Sequence, residues 1–183
     1  MINELANKAR KKMEDTMSSL KRDLDSISTG RANPTAVDTV RAEVYGDFMQ
    51  LAQLATVSVS DASTLTIQVW DKANVKAVEK AIINANLGFN PMIDGQLIRI
   101  IFPKLSEERR KEMVKLAKKY GEDKKVVIRN NRRDVLDEFK KHEKDLGKDQ
   151  AHSFNDIVQK ITDEFIKKID DACVVKEKDL MKI

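Results

Sequence analysis

Two changes of hydrophobic periodicity divide this sequence, and they constrain its fold more than any other feature. Residues 2–28 carry apolar side chains at every third or fourth position, which predicts an amphipathic helix. A second long stretch of helical spacing begins after Leu105, runs to about Leu146, and resumes after a break at Gly147. Between the helical regions apolar residues alternate with polar ones, which is typical of strands. The pattern therefore predicts one domain inserted into another.

The three predicted helices each carry a single apolar stripe. Helices of this length gain most of their stability by burying such a stripe, so none of them is expected to be stable alone. The connection at 147–149 is short, which favours an antiparallel arrangement of the last two helices. We therefore expect an antiparallel three-helix bundle built from residues 1–29 and 106–183.

The inserted segment, residues 31–104, has seven basic and seven acidic residues and mixes two periodicities. Strands are predicted at 37–44, 54–59, 64–70 and 97–102. A helix that ends at Gly88 separates them, with its apolar stripe at Val75, Val78, Ile82 and Ala85. The predicted fold class is α+β, a helical bundle with a small inserted α/β domain.

Two chain segments, 29–31 and 102–105, join the predicted domains. Glycine gives one segment backbone freedom, and proline restricts the other. This pairing favours a hinge, although an ordinary rigid junction remains an alternative. The predicted hinge residues are Thr29, Gly30, Arg31, Pro103, Lys104 and Leu105.

Positive charge is concentrated in the second long helix. Residues 104–133 include twelve basic and five acidic residues, whereas 134–183 include ten basic and thirteen acidic. The basic residues that share one predicted helical face are Lys111, Lys115, Lys118, Lys125, Arg129 and Arg132. The residues predicted on the opposite, apolar face are Met113, Leu116, Ala117, Tyr120, Val127, Ile128, Val135 and Phe139. A cationic face of this kind suits a phosphate backbone, and its alternative is an ordinary solvated surface.

Motifs for catalysis and for cofactor or metal binding are missing from the sequence. It has no His-Glu-x-x-His or Cys-x-x-Cys spacing, no glycine-rich phosphate loop, and one cysteine, Cys173. We therefore expect no enzyme activity, no cofactor and no metal. The first residues lack the layout of a signal peptide, and no apolar run is long enough to span a bilayer. A cytoplasmic protein without a membrane partner is expected.

Aromatic residues indicate which kind of nucleic acid the basic helix would suit. Only 5% of residues are aromatic, and Tyr120 lies on the predicted apolar side of the basic helix. Stacking on unpaired bases is therefore not expected, and backbone contacts by Lys and Arg favour a structured RNA. A general RNA-binding protein or RNA chaperone would use the same face. A structural adaptor, whose bundle pairs with a partner helix, is a further alternative.

Five segments resemble the bacterial ribosome recycling factor family. They are Thr-Gly-Arg-Ala at 29–32 with Pro34, Val-Glu-Lys-Ala-Ile at 78–82, Leu-Gly-Phe-Asn-Pro at 87–91, Leu-Ser-Glu-Glu-Arg-Arg-Lys at 105–111 after Pro103, and Val-Ile-Arg-Asn-Asn-Arg-Arg-Asp at 127–134. The resemblance covers nearly the full length. It departs from the family pattern at Ser28, where Arg is usual, and at 47–50, where a loop with proline is common.

The resemblance implies an L-shaped, monomeric translation factor of the cytoplasm. Such a protein would bind the ribosome after termination and, with elongation factor G and GTP, separate the subunits. Its bundle would contact large-subunit ribosomal RNA, and Arg31, Arg129 and Arg132 fall at positions that the family uses for RNA contact. With the charge pattern, the predicted RNA-binding residues are Arg31, Arg110, Lys111, Lys118, Lys125, Arg129, Arg132 and Arg133.

Overall fold

A computed structural model of the chain describes residues 2–142 and 147–182. In this part of the chain the α-helices are α1 (Ile2–Asp25), α2 (Val75–Asn84), α3 (Glu107–Lys140) and α4 (Lys148–Met181). The chain divides into two compact units, Met1–Thr29 with Ser106–Ile183, and Gly30–Leu105. The first unit is a bundle of α1, α3 and α4, and the second is a small α/β unit. The predicted α+β class, a helical bundle with a small inserted domain, is confirmed.

The bundle is held together by the three apolar stripes. At one end, Phe139 on α3 stacks on Phe154 on α4 with ring centroids 4.3 Å apart. Residues from all three helices share this cluster: Leu5, Ala9, Val135, Phe139, Ala151, Phe154 and Val158. Each large apolar side chain that is fully buried contributes about 1.5–3 kcal/mol. The burial of these stripes therefore fixes which side of α3 faces inward.

The close approach of α3 to α4 depends on Gly121. This glycine is buried in the middle of α3, and a Cβ added to it would lie only 2.5 Å from Sγ of Cys173 on α4. The sequence alone suggests a weak point at Gly121, because glycine is unfavourable within a helix. The structure gives a different reason for it: the missing side chain leaves room for the half-buried Cys173.

Helix α1 is tied to α4 by an ion pair. The guanidinium of Arg10 donates from Nη1 and Nη2 to the two carboxylate oxygens of Glu164 at 3.2 and 3.1 Å. Lys168 donates to the same carboxylate at 2.7 Å. The hydrogen bond from Arg10, and next that from Lys168, lower the pKa of Glu164 from 4.5 to about 2.

The small unit contains two antiparallel sheets. A hairpin of β1 (Arg41–Val44) and β2 (Asp47–Gln50) forms the first sheet. The second has the order β3-β4-β6-β5, and its strands are β3 (Ala55–Asp61), β4 (Thr64–Val69), β5 (Pro91–Asp94) and β6 (Leu97–Ile101). Helix α2 buries Val75, Val78 and Ile82 in the core of this unit.

The structure differs from the predicted elements at several boundaries. Helix α1 ends at Asp25 and not at residue 28, and the strand predicted at 37–44 begins only at Arg41. Pro34–Val37 forms a 3-10 helix, because Pro34 fixes its own φ and Asn33 caps the first turn. The basic helix, predicted to run to about Leu146, ends at Lys140, and Lys141 and His142 form a turn. Residues 143–146 of the predicted helix lie outside the described residues.

Two strands, β2 and β5, are not predicted from the sequence. Strand β2 follows a turn in which Tyr45 and Gly46 both have positive φ, a hairpin geometry usually marked by Asn-Gly or Asp-Gly. Strand β5 begins at Pro91, which the sequence suggests is a turn residue. Proline is tolerated there because Pro91 is the first residue of an edge strand.

The ion pair of Glu164 predicts how stability depends on pH. Because the pKa of Glu164 is lower in the folded state than in the unfolded state, its contribution is complete above about pH 4.5 and is lost as the pH falls towards about 2. Urea unfolding of the protein and of Glu164→Gln across this range should show a shallower pH dependence in the variant. Equal pH dependence in both proteins would contradict the assignment.

The contact at Gly121 predicts a coupling between two substitutions. Gly121→Ala should gain about 1 kcal/mol of helix propensity, but the clash with Sγ of Cys173 should oppose it by about 1–3 kcal/mol. In a Cys173→Ala background the clash is removed, and the same substitution should stabilise the bundle. Urea unfolding of the four proteins measures this coupling. Additive effects of the two substitutions would show that the sulfur does not limit the site.

Candidate nucleic-acid interface

Helix α3 presents basic residues to solvent because its opposite, apolar face is buried in the bundle. The helix begins at Glu107 after Ser106, whose Oγ accepts a hydrogen bond from the backbone N–H of Arg109 at 3.2 Å. Its inward positions are Val114, Ala117, Gly121, Ile128, Val135 and Phe139. Val127, predicted on the apolar side, is 41% exposed, because the neighbouring Ile128 takes the inward position. The prediction that Val127 lies on the apolar face was therefore wrong.

Part of the predicted basic set is open to solvent. The exposed members are Lys111, Lys115, Lys118, Arg129 and Arg133, whereas Arg110, Lys125 and Arg132 are half-buried. Lys111 forms an exposed ion pair with Glu107 at 3.2 Å, one turn earlier on the same helix. Such exposed pairs contribute about 0–1 kcal/mol and exchange readily with another anion. These side chains are therefore free to meet phosphate groups.

The basic residues spaced by seven follow the contact between α3 and α4. Lys118 pairs with Glu177 at 3.4 Å, and Lys125 pairs with Asp170 at 2.5 Å. The side chain of Lys125 is only 14% exposed, and its hydrogen bonds with Asp170 and then Glu122 raise its pKa. The predicted cationic face is thus not uniformly open, because Lys125 lies in the contact between the helices.

Arg132 occupies the same row but has a different kind of partner. Its Nη1 donates to Oε1 of Gln159 on α4 at 2.7 Å, and Nε2 of Gln159 donates to Oδ1 of Asp163 at 2.8 Å. Nε of Arg132 is buried and makes no hydrogen bond within residues 2–142 and 147–182. The guanidinium is therefore held by a neutral amide and not by a carboxylate.

Arg31 and the other predicted hinge residues lie where the chain passes between the two units. Gly30 has a φ of +70°, and a Cβ added to it would lie 3.2 Å from the backbone nitrogen of Leu105 and from the carbonyl oxygen of Pro103. The two connecting segments therefore run side by side at this point. Arg31 itself is half-buried. Arg31 belongs to the small unit, whereas the basic residues of α3 belong to the bundle.

The described residues lack the features of two other kinds of site. Among residues 2–142 and 147–182, no group of His, Cys, Asp and Glu side chains could hold a metal ion. Within the same ranges, no helix has the length and apolar character needed to cross a membrane.

The fold and the surface define a class of protein, a three-helix bundle with a cationic helix and a small α/β unit inserted after its first helix. Residues 20–181 match the family model described as ribosome recycling factor. The chain is 46% identical over 183 residues to the ribosome-recycling factor of Clostridium tetani, with complete coverage of both. It belongs to the ribosome recycling factor family.

Further relatives and solved structures agree with this assignment. The chain is 49% identical over 181 residues to the ribosome-recycling factor of Rickettsia bellii, covering 98% of this chain and 97% of the relative. A solution structure of the ribosome recycling factor has a TM-score of 0.84 at 34% identity, covering 100% and 98% of the two chains. A second structure shows the T. thermophilus ribosome recycling factor with E. coli elongation factor G on the E. coli post-termination complex. Its TM-score is 0.65 at 40% identity, and the match covers 99% of each chain.

Sequence reasoning missed the residues of α4 that accompany the basic row. Asp163, Asp170 and Glu177 recur every seven residues, as Lys118, Lys125 and Arg132 do on α3. In an antiparallel pair of helices, rows with the same spacing can face each other along their length. A search for matching spacings of opposite charge would have revealed this pairing. The position of Gln159 between Arg132 and Asp163 has no such pattern.

Proposed function

We propose that this chain is a translation factor that binds the ribosome after termination and, with elongation factor G and GTP, separates the two subunits. The observation that carries the proposal is membership of the ribosome recycling factor family, with similarity over nearly the whole chain. A structurally similar member is represented on a post-termination complex together with elongation factor G. The partners of this chain are therefore the ribosome and elongation factor G.

The mechanism that we propose is mechanical and not enzymatic. The sequence has none of the glycine-rich loops that hold nucleotide phosphates, so GTP hydrolysis would take place on elongation factor G. This chain would act as a monomer in the cytoplasm and would transmit force between its partners. Neither role requires a cofactor or metal ion.

The exposed side of α3 is the proposed surface for large-subunit ribosomal RNA. Lys111, Arg129 and Arg133 would provide direct phosphate contacts, and Arg132 would join them from the side of α3 that faces α4. Arginine can bind a phosphate with two parallel hydrogen bonds, which fixes orientation as well as charge. Lys118 is exposed, and its ion pair with Glu177 can exchange as that of Lys111 can, so it is included in this surface. Lys125 is only 14% exposed and paired with Asp170, so we assign it a smaller part in binding. Arg110 and Arg31 are retained as RNA-binding residues.

The connecting segments, 29–31 and 102–105, are the proposed hinge. Their close approach at Gly30 permits a change of angle to be shared between the two segments. Gly30 has a positive φ that other residues rarely adopt, so it concentrates conformational freedom at one position. Thr29, Lys104 and Leu105 flank this position, and Pro103 limits the flexibility of the returning segment. A mobile junction would let the small unit move after the bundle has bound.

Arg132→Ala tests the proposed RNA surface. Loss of a charge-assisted hydrogen bond costs about 1.5–3 kcal/mol, so affinity for ribosomes should fall about 10- to 150-fold. The matched control is Arg22→Ala, which removes the same charge from an exposed position on α1 and should have little effect. Affinity is measured by sedimentation with ribosomes, and circular dichroism confirms that both variants are folded.

The salt dependence of the same binding distinguishes RNA contact from an apolar protein contact. With about five phosphate contacts, affinity should fall roughly 10²- to 10³-fold between about 50 and 200 mM salt. Equal affinity of Arg132→Ala and the unmodified protein, together with a flat salt dependence, would refute RNA binding by α3.

A further inference from the structure

Basic residues spaced by seven on α3 face acidic residues spaced by seven on α4. One of the three facing positions differs from the other two. Lys118 faces Glu177, and Lys125 faces Asp170, each as a direct ion pair. The same antiparallel register places Arg132 opposite Asp163, seven residues further along both helices. These two side chains form no ion pair. Gln159 lies between them and hydrogen bonds to both, at 2.7 Å to Arg132 and at 2.8 Å to Asp163.

The amide of Gln159 suits this intermediate position because its two ends have opposite hydrogen-bonding character. Its oxygen accepts from the guanidinium, and its NH₂ group donates to the carboxylate of Asp163. The carboxylate therefore has a donor that carries no charge, and Arg132 has an acceptor that carries none. Neither charge is neutralised by the other, in contrast to Lys125, which is paired with Asp170 and is largely buried.

Keeping Arg132 away from the carboxylate has a consequence for phosphate binding. A guanidinium that is already paired with a carboxylate must break that pair before it binds a phosphate, and charge-assisted pairs are the stronger hydrogen bonds. Unlike the exposed Lys111, Arg132 is half-buried, so water and salt would screen such a pair less. Gln159 occupies one donor of Nη1, and among the described residues the guanidinium makes no other hydrogen bond. The remaining donors of both Nη atoms are thus available to a ligand.

We propose that Gln159 is a positioning residue, which separates Arg132 from Asp163 and so holds the guanidinium ready for an RNA phosphate. The inference rests on the proposed function, because it takes large-subunit ribosomal RNA as the ligand of Arg132. It extends the interface from α3 to a residue of α4 that does not itself carry charge. Asp163 has two roles: it orients the amide of Gln159, and it is the carboxylate that Arg132 would meet if Gln159 were removed.

Gln159→Leu tests this arrangement by removing both hydrogen bonds while keeping a side chain of similar length at an exposed helical position. Arg132 should then pair with Asp163, and the affinity for purified large ribosomal subunits should fall about tenfold. Adding Asp163→Asn to Gln159→Leu removes the competing carboxylate and should restore most of the affinity. The matched control adds Asp171→Asn instead, which makes the same change of charge at another exposed position of α4 and should restore much less.

Repeating Gln159→Leu in an Arg132→Ala background separates positioning from a structural role. A positioning residue should have no further effect once Arg132 is gone, whereas a structural residue would weaken binding equally in both backgrounds. An equal loss in both backgrounds would overturn the proposal, as would equal rescue by Asp163→Asn and Asp171→Asn. Urea unfolding of each variant measures any effect on the fold directly.

The same series distinguishes failure of this inference from failure of the proposed function. If Arg132→Ala weakens binding but Gln159→Leu does not, the positioning role is refuted and RNA binding by Arg132 stands. If Arg132→Ala leaves binding unchanged, both the RNA contact of Arg132 and the role of Gln159 are refuted.

Discussion

The antiparallel pairing of α3 with α4 is the constraint on which the proposed interface depends. Burial of the apolar stripes brings the helices together, and Gly121 leaves the space that Cys173 requires. The charges spaced by seven then match in the register that this packing sets. Exposed ion pairs contribute little on their own, so the apolar contacts hold the helices and the charges add specificity of register.

This pairing divides the basic residues of α3 between two roles. Lys125 faces Asp170 of α4 and lies within the contact, whereas Lys111, Lys118, Arg129 and Arg133 remain open to solvent. Arg132 belongs by its position to the row of basic residues that faces α4, but its partner is the neutral amide of Gln159. The number of basic residues in a helix therefore overstates the positive charge that it presents to solvent. The identity of the facing residue on the neighbouring helix decides which cations are available.

The bundle and the inserted unit were predictable because long apolar stripes and a change of period are strong patterns that packing does not override. Strands β2 and β5 were not, because each has four residues, and one follows an unusual Tyr-Gly turn while the other begins with Pro91. The basic face was predictable from α3 alone, but the burial of Lys125 and the position of Gln159 depend on side chains of α4. Contacts between distant parts of the chain determine these details, and periodicity within one helix does not encode them.

Subunit separation is the most direct measurement of the central claim. Light scattering would follow post-termination ribosomes mixed with the full chain, elongation factor G and GTP, since scattering falls when ribosomes divide into subunits. The account predicts a fall that requires both proteins and GTP, with no fall when a GTP analogue that cannot be hydrolysed replaces GTP. Tight binding of the chain to ribosomes without any fall in scattering under the complete conditions would contradict the account.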